Sequence, residues 1–79
     1  MLEITLDELA QYNGLGGAPA YIAFQGKVYD VSRSFLWQHG RHQVVHTAGK
    51  DLTGEIEAAP HTAAMLERVP IVGTLADGR

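Results

Sequence analysis

Cysteine is absent from this chain. Disulfides, thiolate zinc sites, iron–sulfur clusters and covalent c-type haem attachment are therefore excluded. A basic stripe is also missing. Lys27, Arg33, Arg41, Lys50, Arg68 and Arg79 stand singly against nine acidic residues, for a net charge of −3. Nothing here is offered to a phosphate backbone, so nucleic acid is not an expected partner. No apolar run approaches the ~18 residues of a membrane span, and no signal peptide is visible. The expectation is a soluble domain, cytoplasmic by the lack of a leader.

What is present suffices for one core. Apolar residues make up 46% of the chain, too many for a disordered segment. Residues 1–79 read as a single domain, because a chain of this length has no room for a second. A core so small is marginal alone and gains from a staple. Without thiols, that staple is histidine ligation or a bound organic cofactor.

Local signals divide the chain. Leu2 to Thr5 reads as a short strand. Thr5-Leu6-Asp7-Glu8 fits a capping box, a hydroxyl at the N-cap and a carboxylate three residues on. Leu6, Leu9 and Ala10 would face inward, and Asn13-Gly14 would stop that helix. Ala20 to Val31 is rich in aromatic and β-branched residues, broken by Gln25-Gly26, which predicts a two-residue hairpin. Asp30 or Ser32 can cap a short helix over Arg33 to Trp37. Arg41 to Ala48 is read as a second short helix, and Leu52 to Ala59, capped by Asp51, as a third. Pro60 has no N–H to donate and ends it. Thr62 to Arg68 reads as the last helix, and Pro70 to Leu75 as a closing strand. A small sheet, four short helices and a returning strand make an α+β fold.

The four histidines, His39, His42, His46 and His61, all fall between Trp37 and His61. His39 precedes Gly40 and has the features of solvated surface. His42 and His46 are four apart, so on a helix they would share a face. His61 follows Pro60, at a corner where a side chain can be aimed into a cleft. Iron in a porphyrin needs two axial ligands, one from each side. Two helix pairs, Arg33–Ala48 and Leu52–Arg68, could each present one imidazole and apolar side chains. With both axial positions filled by protein, one-electron transfer is the chemistry left.

Four further segments carry a family resemblance. They are Gly26-Lys27-Val28-Tyr29-Asp30-Val31, Ala48-Gly49-Lys50-Asp51-Leu52-Thr53, His61 ten residues after Asp51, and Val72-Gly73-x-Leu75. In this order they resemble the cytochrome b5-like haem/steroid-binding domains, over Leu6 to Leu75. The resemblance implies that fold, a small mixed sheet with two short helix pairs forming a haem pocket, and makes His61 the second axial ligand. The typical family opens its first ligand site with His-Pro-Gly-Gly. This chain has no such run, and Trp37-x-x-Gly40-x-His42 is similar to a shorter, mostly bacterial branch.

The resulting expectation is an electron carrier rather than a catalyst, holding haem b (iron protoporphyrin IX) without covalent attachment. Its iron would be held by His61 and His42, with His46 as a neighbour and alternative ligand and His39 behind both. Phe35, Val44, Val45, Ile56, Met65 and Leu66 would line the pocket, unless they are ordinary core. A redox partner protein is implied, and the acidic excess, including Glu55, Glu57 and Glu67, suits a basic one. The alternatives are the same fold holding a sterol or other apolar ligand, and a zinc-binding or structural interaction domain using His42 and His46.

Overall fold

A computed structural model of the chain describes residues 2–33, 41–42, 46–58, 64 and 66–76, with 41–42 and 46–47 described as backbone. The helix expected over Arg33 to Trp37 lies almost wholly outside these residues. So do Phe35, His39, Val44, Val45, Pro60, His61 and Met65.

The first strand, β1 (Leu2–Ile4), leads into the short helix α1 (Leu6–Leu9). The capping box forms as expected. Glu8 N–H donates to Thr5 Oγ1 at 3.1 Å, and Thr5 N–H donates to Glu8 Oε1 at 2.9 Å. The helix is shorter than its pattern suggests, with its C-cap at Ala10. Leu9 is fully buried, whereas Leu6 and Ala10 lie on the exposed side.

The hairpin β2 (Tyr21–Phe24) and β3 (Lys27–Asp30) turns at Gln25-Gly26, both with positive φ, 51° and 81°. That is the backbone of a primed turn, whose twist matches the strands. Gly26 adopts it without strain, while Gln25 is held by its own contacts, described below. Asp30 Oδ1 accepts the Ser32 N–H at 2.9 Å, and the Ser32 hydroxyl accepts from Ala20 N–H at 2.7 Å, closing the hairpin's open end.

Residues 41–42 and 46–47 do not adopt the helix expected over Arg41 to Ala48. They form β4 (Arg41–His42) and β5 (His46–Thr47), an antiparallel pair in which Arg41 opposes Thr47 and His42 opposes His46. The i, i+4 spacing admits both answers. On a helix it joins neighbouring turns; in a tight hairpin it joins cross-strand partners. Two factors tip the balance. Val44 and Val45 are β-branched and lose side-chain freedom in a helix. Eight residues between Gly40 and Gly49 are too few to stabilise an unsupported helix.

The chain then enters α2 (Thr53–Glu57), makes helical turns at Ala64 and Leu66, and closes with β6 (Ile71–Leu75). The main sheet runs β1-β6-β3-β2. β6 is antiparallel to β3 and parallel to β1, so the last strand sits between the first strand and the hairpin. Each face carries a core cluster. One joins Ile4, Leu9, Ala23, Val28 and Leu75. The other joins Ala20, Ile22 and Val31 to Ala48, Leu52, Ile56 and Leu66. The second cluster fastens the histidine-bearing half of the chain to the sheet.

Candidate functional site

The segment Ala48-Gly49-Lys50-Asp51-Leu52 lies along the free edge of β2. Gly49 N–H donates to Tyr21 C=O at 2.7 Å, Ala23 N–H to Lys50 C=O at 3.0 Å, and Leu52 N–H to Ala23 C=O at 2.8 Å. Ala23 and Asp51 form a parallel bridge. An edge strand left open is a site for unwanted pairing, and this segment covers it.

Two polar side chains then fix where α2 starts. Asp51 Oδ1 accepts from Thr53 N–H at 3.1 Å and from the Thr53 hydroxyl at 2.6 Å. Thr53 Oγ1 in turn accepts from Gln25 N–H at 2.8 Å. One turn further on, Gln25 Nε2 donates to Glu57 Oε2 at 3.0 Å. Thus the β2–β3 turn is tied to α2 at Thr53 and at Glu57. The left-handed backbone at Gln25 is disfavoured for a residue with a side chain by about 1–2 kcal/mol. Its backbone and side-chain bonds to α2 offset part of that cost.

Leu52 and Ile56 point from this platform into the core, with 1% and 0% of their surface exposed. Leu66 joins them at 3%. The structure therefore places Ile56 and Leu66, both expected at a pocket, within the main core cluster. His42 and His46 are opposed across β4 and β5, and His61 lies three residues beyond the α2 C-cap Ala58. Among the described residues, no group of three or more His, Cys, Asp or Glu gathers as a metal site.

A cavity of about 810 Å³ opens beside the β2–β3 turn, between the sheet and Ala64, Leu66, Glu67 and Val69. Of the residues expected to line a pocket, Leu66 is on its wall. Phe24, Tyr29, Val69 and Ile71 were not anticipated there. Phe24 and Tyr29 could have been found from the two-residue alternation that puts them with Ile22 and Val31 on one sheet face. Ile71 could not, because its position depends on a register shift.

The edge-covering segment, the α2 platform and the paired histidine strands together define a small α+β domain with one imidazole-rich region. The family model described as "Cytochrome b5-like Heme/Steroid binding domain" matches residues 5–76. The chain belongs to that family. A cytochrome b5 domain protein of Hadesarchaea YNP_N21 is 57% identical, with a TM-score of 0.89 over 95% of this chain and 99% of that one. A cytochrome b5 domain protein of Methanococcoides burtonii is 53% identical, with a TM-score of 0.90 over 95% and 97%. A hypothetical protein of Arabidopsis thaliana with a cytochrome b5 like fold is 25% identical, with a TM-score of 0.73 over 98% and 93%. Among curated proteins, "Probable steroid-binding protein 3" of Arabidopsis thaliana is 40% identical over 53 residues, 63% of this chain. The chain spans about half, 51%, of that relative's length. The Hadesarchaea and Methanococcoides burtonii proteins are archaeal, where the motif resemblance pointed to a bacterial branch. No helix among the described residues is long and apolar enough to cross a membrane.

Proposed function

We propose that this domain holds haem b non-covalently between His61 and His42 and carries single electrons. The observation that carries the reading is the β4–β5 register, which sets two imidazole-bearing residues opposite each other on one short ladder. Support comes from the two archaeal cytochrome b5 domain proteins, each more than half identical over nearly the whole chain. Imidazole is the right donor for iron in a chain that has no thiolate. When bound, the haem supplies a one-electron couple at its iron. Two protein ligands leave no open coordination position, so the role is carrier, not catalyst. Phe35, Val44, Val45 and Met65 would exclude water around the ring, with Ile56 and Leu66 as the packed layer supporting them. A redox partner protein, with basic groups facing the acidic surface, completes the reading.

The β4–β5 ladder changes the argument for the first ligand. On a helix, His42 would have an advantage as the residue at its start. In the ladder, His42 and His46 are register partners. His42 keeps the assignment because it lies two residues after Gly40, with His46 as its neighbour in the site. The test is hemin titration read by absorption and EPR. The expected result is a sharp Soret band, α and β bands on reduction and a low-spin ferric signal. His61→Ala should abolish six-coordination, and His42→Ala should give a high-spin signal or lose haem. A low-spin, fully loaded His42→Ala protein transfers the assignment to His46. Protein that takes up no hemin overturns the reading.

One observation favours a second reading. The curated relative is described as a probable steroid-binding protein. A chain that stays colourless with hemin, yet binds a radiolabelled steroid saturably, belongs to that branch.

A further inference from the structure

We propose that Tyr12 and Tyr21 form an oxidative modification site, where a one-electron oxidant fed by a peroxide joins the two phenols as dityrosine. The rings are stacked, with centroids 4.4 Å apart and planes 20° from parallel. Both residues are partly exposed, so water reaches the pair to carry protons away. The pair lies outside the histidine stretch and has no part in the haem reading.

Backbone pairing sets the stack. Asn13 and Ala20 form an antiparallel bridge, which makes Tyr12 and Tyr21 the next opposed pair. Tyr21 N–H donates to Tyr12 C=O at 2.9 Å, and Gly14 N–H donates to Pro19 C=O at 3.0 Å on the other side of the bridge. Opposed residues of an antiparallel pair send their side chains to one face. The two rings therefore run side by side, hydroxyl end beside hydroxyl end. Burial first, then the Asp30 carboxylate, then Tyr12 raise the Tyr21 pKa, so the two phenol oxygens also sense each other. Stacking alone is ordinary aromatic packing. Aligned phenols add a chemistry, because the ring carbons ortho to the hydroxyls are neighbours.

Each phenol loses one electron and its hydroxyl proton. The two phenoxyl radicals pair, forming one bond between ring carbons ortho to the oxygens. The hydrogens on those carbons move to the oxygens and restore both phenols. The net loss is two electrons and two protons, which reduce one hydrogen peroxide to two waters with cleavage of its O–O bond. The chain has no thiol to intercept the radicals. Tyr29, the third tyrosine, packs against the other core cluster. The new bond encloses Asn13 to Ala20 and ties the end of α1 to β2. Gly14, Gly16 and Gly17 fall inside that ring, so the crosslink removes much freedom from the unfolded chain. It is a staple open to a fold without cysteine.

The probe is a haem peroxidase with hydrogen peroxide, applied to the full chain free of hemin, so the outcome does not depend on haem uptake. The expected product is a single chain with blue dityrosine fluorescence. No Lys or Arg precedes Lys27, so the tryptic peptide of residues 1–27 carries both rings and should lose two hydrogen atoms in mass. Thermolysin cleavage before Leu15 should then leave its two pieces joined. Tyr12→Phe and Tyr21→Phe keep a ring in the stack but remove a phenol, and each should abolish the crosslink in this peptide. Tyr29→Phe should leave it unchanged. Urea should lower the yield several-fold, because the stack is a property of the fold. No dityrosine from the native chain, crosslinks that run through Tyr29 or between chains instead, or an equal yield in urea would overturn the proposal.

Discussion

At Gly73 the backbone leaves no space for a side chain. A Cβ there would overlap the Leu2 carbonyl oxygen and crowd the Leu2 carbonyl carbon at 3.0 Å. These are main-chain atoms of the paired strand β1, held in register at Leu2↔Gly73, so they cannot swing aside. Gly73→Ala should therefore push β1 off β6 and cost about 1–3 kcal/mol, the range for overpacking a tight contact. A denaturation midpoint equal to that of the parent chain would contradict this. Tyr21 makes a second prediction. It stacks on Tyr12 with ring centroids 4.4 Å apart and planes 20° from parallel. Burial first, then the Asp30 carboxylate and the Tyr12 phenolate, raises its pKa above the usual 10.0. The folded state thus holds the Tyr21 proton more tightly than the unfolded chain. That contribution is fully present below pH 10.0, the unfolded value, and is lost as pH rises through the folded pKa. The urea midpoint should fall from about pH 10 upward, and Tyr21→Phe should flatten the fall. An equally steep fall in the Phe variant would assign the effect to other groups. The Gly73 requirement was not legible from the sequence, because it arises from a strand more than seventy residues away.

At the scale of elements, legibility followed the locality of the forces. The Thr5–Glu8 capping box and the Gln25-Gly26 hairpin are set within a few residues, and both form as the sequence implies. The start of α2 is nearly local, since Asp51 reaches Thr53. The β4–β5 pair was misread because His42 and His46 satisfy helix and hairpin spacing alike, and the choice depends on what the flanking segments allow. The register shift in β6 also left no local trace. Of the site, the imidazole residues were legible as a cluster in sequence, while the cavity with Ile71 was not. The element most open to test is the tie between the β2–β3 turn and α2. Thr53→Val keeps the side-chain shape but removes the hydroxyl that donates to Asp51 and accepts from Gln25 N–H. Two part-exposed bonds at ~1 kcal/mol each give an expected loss of about 1–2 kcal/mol. Amide exchange at Gln25 should speed up, since its N–H loses its acceptor. Unchanged exchange there would show that the turn is held by the strands alone.

The molecule as a whole is asymmetric in what holds its two cores. The cluster of Ile4, Leu9, Ala23, Val28 and Leu75 is drawn from the sheet and α1. Strands β1, β6, β3 and β2 supply its frame, and its buried members all lie outside residues 48–66. The cluster of Ala20, Ile22, Val31, Ala48, Leu52, Ile56 and Leu66 takes four of its seven members from residues 48–66. Among the described residues there, the regular support is slight. α2 has five residues and no side-chain bond at its N-cap, and a helix that short has no stability unpacked. A ligand bound on that side adds its binding free energy to the native state. If the proposed haem is held by His61 and a histidine of the β4–β5 pair, its stabilisation should be graded. Hydrogen exchange should slow most at Leu52 and Ile56, whose N–H groups donate to Ala23 C=O and Leu52 C=O. It should slow least at Val28, in the opposite core. The melting temperature should rise by about ten degrees or more on hemin loading, as that linkage implies for a domain this small. Hemin bound with no change in melting temperature, or with equal protection of both cores, would separate haem binding from the folding of this half.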